Sequence, residues 1–159
     1  MKITVLCVGK IKEKFYRDAI LEYSKRLSRF TKYEIIEVAD EKTKENASDK
    51  EISIVKDLEG EKILNKLNED SYVITLEING KTPDSVGLAE KIKEITLNGY
   101  SHITFIIGGS LGLSDSVISK SNYHLSFSNM TFPHQLMRVI LSEQIYRAFK
   151  IINNEPYHK

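Results

Sequence analysis

Five short apolar runs alternate with amphipathic segments along the chain, and this alternation constrains the fold more than any other feature. The apolar runs predict strands at residues 3–8, 33–39, 72–78, 102–107 and 123–127. Strands that alternate with helices are joined by crossovers and form a parallel sheet with helices on both faces. The sequence therefore predicts one α/β domain over residues 1–159, built on a mostly parallel sheet flanked by helices.

The segments between the strands carry helical spacing and helix-end signals. We predict helices at residues 14–30, 48–69, 83–98, 114–120 and 133–153. Ser48 with Glu51 forms a capping-box pattern at the start of the second helix. Thr82 and Pro83 suit an N-cap and a first helical position for the third helix. That helix is predicted to end at Asn98, which is followed by glycine.

Composition and charge exclude several classes of protein. The single cysteine, Cys7, excludes a disulfide framework and a cysteine-based zinc site. No apolar stretch approaches the ~20 residues of a membrane span, so we expect a cytoplasmic protein with no membrane partner. The net charge is +6 over residues 1–32, −7 over 33–80 and +2 over 81–159. A dimer or a fold that brings both basic ends together could form a phosphate-binding face; the alternative is an ordinary solvated surface.

The last helix carries more apolar surface than one packing face needs. One stripe consists of Met137, Leu141, Ile145, Ala148 and Ile152, and a second of Val139, Tyr146 and Phe149. One stripe can face the sheet, and the other then needs a partner. The second stripe therefore predicts a homodimer, with burial on both sides within one chain as the alternative.

Ligands of parallel sheets bind at the carboxyl ends of the strands, which selects the loops after Leu76, Ile107 and Phe127. The second of these loops, residues 108–113, is rich in glycine, so a ligand can approach its backbone closely. It lacks the spacing of a phosphate loop and of a dinucleotide fingerprint, and a tight turn is the alternative. The third loop alternates small polar and apolar residues before a proline, which suits a polar heterocycle. An ordinary strand–helix connection is its alternative.

Two sets of side chains near the end of the chain are candidates for chemistry. His134 lies in the first turn of the last helix, with Arg138 four residues later on the same face. The imidazole could hold a proton and the guanidinium could bind a phosphate, although such pairs are commonly only surface pairs. The polar tail is predicted to be extended. Its Tyr157, His158 and Lys159 could contact RNA, with a frayed end as the alternative.

A set of short motifs follows in a fixed order over the second half of the chain. They are Ile106-Ile107-Gly108-Gly109 to Gly112-Leu113, Leu125-Ser126 to Thr131, Pro133-His134, Leu136, Arg138, Glu143-Gln144, Tyr146-Arg147-Ala148, and Asn154 with Pro156-Tyr157-His158-Lys159. In this order they resemble the RlmH family, small SPOUT-superfamily methyltransferases that modify large-subunit ribosomal RNA. The resemblance covers the whole chain, including its length, its opening strand and its ending.

The resemblance implies a SPOUT-type fold whose C-terminal part is threaded into a trefoil knot, which periodicity could not predict. It also implies a homodimer, which would cover the second apolar stripe of the last helix. The implied cofactor is S-adenosyl-L-methionine, and no metal is needed. Carried over by position, its contacts would be Leu76, Gly108, Phe127, Ser128, Asn129, Met130, Thr131 and Phe132.

The implied reaction is methylation of N3 of a pseudouridine in large-subunit (23S) ribosomal RNA. We expect the catalytic set to be His134, Arg138 and His158. His134 is the candidate neighbour of the leaving N3 proton, and His158 from a partner's tail is its rival. Arg138, Tyr157, His158 and Lys159 would contact the RNA. The alternatives are a SPOUT methyltransferase acting on transfer RNA and a non-enzymatic, ribosome-associated nucleotide-binding module.

Overall fold

The computed structural model describes residues 1–159 as five strands and five helices in alternation. The strands are β1 (Lys2–Val8), β2 (Lys32–Val38), β3 (Tyr72–Lys81), β4 (His102–Ile107) and β5 (Tyr123–Leu125). The helices are α1 (Lys14–Leu27), α2 (Asp49–Lys66), α3 (Ser85–Leu97), α4 (Asp115–Ile118) and α5 (His134–Ile152). Every predicted strand and helix is present, and the α/β class is confirmed.

The strands form one sheet in the order β2-β1-β4-β3-β5, and every neighbouring pair is parallel. β1 is paired on both sides and is buried from Ile3 to Val8, as expected for an interior strand of a parallel sheet. The ends of all five strands, and the loops that follow them, therefore lie at one edge, which we call the carboxyl edge. The trefoil knot stays a prediction.

Helices cover both faces of the sheet, and each face has its own core. Alternate residues of β1 point to opposite faces. Ile3 and Val5 lie in the larger core, which is closed by α1, α3 and α5. Leu6 and Val8 lie in the smaller core, which is closed by α2 and α4. The sheet is thus a rigid platform from which the loops of the carboxyl edge project.

Part of the second apolar stripe of α5 is packed within the chain, because α5 contacts both α1 and α3. Phe149 is only 8% exposed and stacks on Phe30 with ring centroids 5.8 Å apart. Tyr146 lies 6.4 Å from Tyr23 and 6.2 Å from Phe30 between ring centroids. Phe149 is therefore buried within one chain, which was the alternative, and Tyr146 is half-buried in the same aromatic cluster. The homodimer itself stays a prediction.

The helix starts agree with the sequence in one case and differ in another. α2 begins as predicted, because Ser48 Oγ accepts a hydrogen bond from Glu51 N at 3.2 Å. The predicted N-cap of α3 at Thr82 is wrong, since Asp84 takes that role and accepts a hydrogen bond from Gly87 N at 2.7 Å. A carboxylate at a helix N-terminus also interacts favourably with the helix dipole, which a threonine hydroxyl does not.

The carboxyl end of β3 is longer than predicted and irregular. Leu76 and Lys81 both pair with Leu125, so residues 77–80 form a bulge between them. A Cβ on Gly80 would lie only 2.7 Å from the carbonyl carbon of Leu125, so this close approach requires glycine. The bulge turns residues 77–79 toward the carboxyl edge, where the ligand-binding loops were predicted.

Candidate active site

A cavity of about 400 Å³ lies at the carboxyl edge among the loops that follow β3, β4 and β5. This volume is within the range of small-molecule sites. Its walls also include the first turn of α5, and eleven of its twenty lining residues are hydrophobic. The cavity therefore suits a ligand with an apolar body and a few polar groups.

The structure brings most of the predicted cofactor residues to this cavity. Seven of the eight line it: Leu76, Gly108, Phe127, Ser128, Met130, Thr131 and Phe132. Asn129 is exposed and is not part of the lining. The three loops selected by the strand-end argument thus form one concave surface, while the contacts of individual residues with a cofactor stay predictions.

The glycine-rich loop after β4 is a tight turn with little spare room. Gly112 N donates to the Gly109 carbonyl at 3.1 Å, and Gly112 has φ +86°. A Cβ on Gly108 would lie 2.9 Å from the carbonyl carbon of Gly112. A Cβ on Gly109 would lie 3.0 Å from the buried carboxylate of Glu59, whose pKa is raised by that burial. These glycines are needed for the loop's own packing, whatever ligand it meets.

The loop after β5 is tied to the bulge of β3. Ser126 N donates to the Lys81 carbonyl at 2.7 Å, which joins two walls of the cavity. Ser126 Oγ donates to the Ser128 carbonyl at 3.3 Å, and Met130 N donates to Ser128 Oγ at 3.0 Å. This loop therefore has a defined shape, although Met130 at its tip is 74% exposed.

Sequence reasoning missed Glu77, which is the acidic side chain in the lining of the cavity. Its Oε2 accepts a hydrogen bond from Thr75 Oγ1 at 2.5 Å and is in direct contact with His124 Nδ1. Glu77 follows Leu76, so the strand-end rule could have selected it. Held from one side by these two partners, the carboxylate can interact with a cationic group or a hydroxyl of a ligand.

His134 begins α5 and lines the cavity. Its pKa is lowered from the ordinary 6.5, first by burial and second by the charge of Arg138. The imidazole is therefore neutral at neutral pH, and one ring nitrogen is available to accept a proton or a hydrogen bond.

Arg138 is not at the surface, in contrast to the predicted phosphate contact. Its side chain is 1% exposed, and its Nη1 donates to Glu37 Oε2 at 2.7 Å. Its Nη2 donates to the carbonyls of Val8 and Gly9, both at 2.8 Å, while its buried Nε has no partner. The guanidinium thus links α5 to the ends of β1 and β2, and burial leaves it no open side toward RNA.

The tail is not extended, in contrast to the sequence prediction. Tyr157 packs edge-on against Tyr146 at 4.9 Å between centroids, and its hydroxyl donates to Glu143 at 2.9 Å. Burial and this carboxylate raise the pKa of Tyr157 to about 12. His158 Nδ1 lies 3.2 Å from an Arg147 nitrogen, and Lys159 is exposed. The tail therefore folds back on α5 of its own chain, because α5 offers it aromatic and charged partners.

The two histidine candidates do not meet within one chain. His134 is at the first turn of α5, while His158 lies beside Arg147, thirteen residues further along the helix. At 1.5 Å per residue this is a separation of roughly 20 Å along the helix axis. His158 of the same chain is therefore out of reach of the cavity.

Other chemical possibilities are not supported by the geometry. Burial raises the pKa of Cys7 to about 12, so its thiol is not a nucleophile at neutral pH. No group of three or more His, Cys, Asp or Glu side chains is arranged to hold a metal ion. No helix is long and apolar enough to cross a membrane.

Comparison with known proteins gives consistent results. Residues 1–158 match the family model described as "Predicted SPOUT methyltransferase". The chain is 60% identical to "Ribosomal RNA large subunit methyltransferase H" of Clostridium novyi, and 63% identical to "Putative ribosomal RNA large subunit methyltransferase H" of Methanococcus maripaludis. Both alignments cover all of this chain and all of the relative. A solved structure, a probable methylase family protein from Haemophilus influenzae, matches with a TM-score of 0.54 at 15% identity, over 99% of this chain and 70% of that one. This last match supports the fold alone.

Proposed function

Because the chain belongs to the SPOUT methyltransferase family, we propose that it transfers a methyl group from S-adenosyl-L-methionine to N3 of a pseudouridine in large-subunit ribosomal RNA. The observation that carries the proposal is the cavity at the carboxyl edge, which gathers residues from three separate loops. The names of the full-length relatives support large-subunit ribosomal RNA as the substrate. Since ribosomes are cytoplasmic, this substrate would place the enzyme in the cytoplasm.

The residues of the cavity fit the proposed cofactor. When bound, S-adenosyl-L-methionine supplies an electrophilic methyl group for transfer to a nucleophile. Leu76, Phe127 and Phe132 would form apolar walls for an adenosine, and the loop at Gly108 would offer backbone groups to its polar edges. Glu77 would meet a positively charged part of the cofactor, since it is the carboxylate in the lining.

The side chains of the site would then prepare the RNA base. The N3–H of pseudouridine is an imide, and the nitrogen attacks well only after its proton has left. His134 is neutral at neutral pH and faces the cavity, so we propose that it accepts this proton. The apolar walls would exclude water and hold the base in line for transfer.

We also propose that the enzyme acts as a homodimer and that the tail serves the partner's cavity. The support is twofold. His158 lies roughly 20 Å along α5 from the cavity of its own chain. Ile78 and Met130, at the rim of the cavity, are 52% and 74% exposed, and a second copy packed there would cover both. His158 and Lys159 of that copy would then approach the RNA.

A labelled-methyl assay tests the reaction. Large ribosomal subunits from cells that lack the protein should accept labelled methyl groups, and the modified nucleoside should be N3-methylpseudouridine by mass spectrometry. His134→Gln should reduce turnover by about 10²–10⁴-fold with cofactor affinity nearly unchanged. His102→Gln is the matched control, because His102 also has a lowered pKa but lies at the start of β4, away from the cavity.

The outcomes of this assay separate the alternatives. Methylation of transfer RNA instead of ribosomal RNA would favour the alternative of a SPOUT methyltransferase that acts on transfer RNA. Failure to bind S-adenosyl-L-methionine at all would favour the non-enzymatic module. Full turnover by the His134→Gln enzyme would remove His134 as the proton acceptor without affecting the proposed reaction.

Sedimentation and mixed subunits test the dimer. Ile78→Asp should yield monomers, whereas Leu97→Asp, at an even more exposed site at the end of α3, should not. A His134→Gln subunit should complement a subunit that lacks Pro156–Lys159. If the tail acts on the partner, one site of each mixed dimer combines an intact cavity with an intact tail. No recovery of activity in the mixture would contradict action across the dimer.

A further inference from the structure

The loop between β1 and α1, together with the first turn of α1, forms an exposed basic surface. Residues 10–17 contain four basic side chains and one acidic side chain. Lys10, Lys12 and Lys14 are all exposed. This segment is the strongest cluster of positive charge at the carboxyl edge that the mechanism above does not use. We name it the basic loop.

The basic loop is attached directly to the wall of the cavity. Gln135 Oε1 accepts hydrogen bonds from Lys12 N at 2.9 Å and from Glu13 N at 3.4 Å. Gln135 is the neighbour of His134, the proposed proton acceptor. On the other side, Ile11 N donates to Glu37 Oε2 at 2.9 Å, the same carboxylate oxygen that binds Arg138. The loop is therefore held in place by Gln135, the residue that follows the proposed proton acceptor His134 in the chain.

Two charges of the basic loop are available for a ligand. Arg17 is occupied within the loop, because its Nη1 donates to the carbonyls of Ile11 at 3.3 Å and Lys12 at 3.1 Å. Lys14 is paired with Asp18 at 2.7 Å. Lys10 and Lys12 take part in no ion pair. The arginine thus shapes the loop while these two lysines present their ammonium groups to solvent.

An exposed aromatic ring completes the surface. Phe15 is 62% exposed and lies 4.4 Å from the ring of Tyr16, measured between centroids. A single exposed ring is not by itself a binding site, so the role of Phe15 depends on the lysines that lie beside it. Exposed rings flanked by cations are the arrangement on which unpaired bases stack while their phosphates meet the charges.

We infer that the basic loop binds the RNA strand next to the target nucleotide, with Lys10 and Lys12 on phosphates and Phe15 stacked on an unpaired base. This inference rests on the proposed function, since it needs an RNA substrate. It places RNA contacts in the loop between β1 and α1, whereas the resemblance to the methyltransferase family suggested only Arg138 and the tail. Because this loop follows the end of β1, its four basic residues lie at the carboxyl edge, on the same side as the cavity.

Charge and stacking predict different signatures, so two variants test the inference. Lys10→Gln with Lys12→Gln should weaken binding to purified large ribosomal subunits roughly tenfold at moderate salt. It should also reduce the slope of log affinity against log salt by about 1.5, since each phosphate contact contributes about 0.7–0.9. Phe15→Ala should weaken binding about tenfold with the slope unchanged.

Matched controls use the same substitutions elsewhere. Lys66→Gln with Lys93→Gln removes two exposed charges near the opposite edge of the sheet, and Leu21→Ala removes an exposed apolar side chain of α1. Both controls should bind like the wild type. Affinity for S-adenosyl-L-methionine should be the same in all variants, which shows that the cavity is intact.

The outcomes distinguish this inference from the proposed function. If the wild type methylates ribosomal RNA but the lysine variant keeps the wild-type salt slope, the basic loop does not contact phosphate and the inference is wrong. If the Lys66→Gln, Lys93→Gln control lowers the slope of log affinity against log salt by the same amount, the inference is also wrong, because the change would then reflect the net charge of the protein and not a contact at the basic loop. If the wild type neither binds nor methylates ribosomal RNA, the proposed function itself fails.

Discussion

Replacing Arg138 by methionine should destabilise the protein without removing an RNA contact. A hydrogen bond to a charged group contributes about 1.5–3 kcal/mol. Arg138 makes three, to Val8, Gly9 and Glu37, and only the first is fully buried. We assign the full energy to the bond with Val8 and only part of it to the other two, because water can reach the carbonyl of Gly9 and the carboxylate of Glu37 once the guanidinium is removed. The methionine fills part of the space, so the free energy of unfolding should fall by about 2–4 kcal/mol.

Urea denaturation and thermal melting measure this loss. For a chain of this length, each kcal/mol corresponds to about 2–4 °C in Tm, so Tm should fall by about 4–16 °C. RNA affinity measured well below that Tm should have an unchanged salt slope, since the guanidinium does not reach solvent. A variant with wild-type Tm and a salt slope reduced by about one phosphate contact would refute the structural role and restore the phosphate role predicted from sequence.

Four further results are expected. The pKa of His134, measured by NMR, should lie below 6.5. Because the unfolded chain then binds this proton at a higher pH than the folded chain does, the free energy of unfolding should decrease as pH falls from 6.5 toward the folded pKa. His134→Gln should make that decrease smaller. Phe149→Asp should unfold the chain rather than yield a folded monomer by sedimentation, since Phe149 is part of the monomer core. Deletion of Pro156–Lys159 should cost about 1–2 kcal/mol in urea titrations, leave cofactor affinity unchanged and strongly reduce methylation. Gly108→Ala should weaken cofactor binding in calorimetry and also cost about 1–3 kcal/mol of stability, because the new Cβ meets the Gly112 backbone; an unchanged unfolding midpoint would contradict that clash.

Local patterns determined the elements of this fold. The bounds of β4, residues 102–107, agree with the prediction, because a short β-branched run between turn residues has few other solutions. The capping box at Ser48 was also identified correctly, since its hydrogen bonds join residues three positions apart. The strand-end rule selected the three loops of the cavity because a parallel sheet sends all of them to one edge.

Side-chain roles that depend on distant partners were not determined in this way. The spacing of His134 and Arg138 places both on one side of a helix, but it does not say which of them is buried against a carboxylate of the sheet. Glu37, the partner of Arg138, lies 101 residues earlier in the chain. Only the strand order, which sets β1 beside β2 beneath α5, brings the two together.

The same reasoning applies to the aromatic stripe and the tail. The sequence determined that α5 has two apolar stripes and that the chain ends in a short polar segment. Only the tertiary structure decided that Phe30, just after α1, packs on Phe149, that Tyr23 of α1 packs on Tyr146, and that Tyr157 folds back onto Glu143. The periodicity of a helix shows how much apolar surface it must bury. Which other element covers that surface depends on how the whole chain packs.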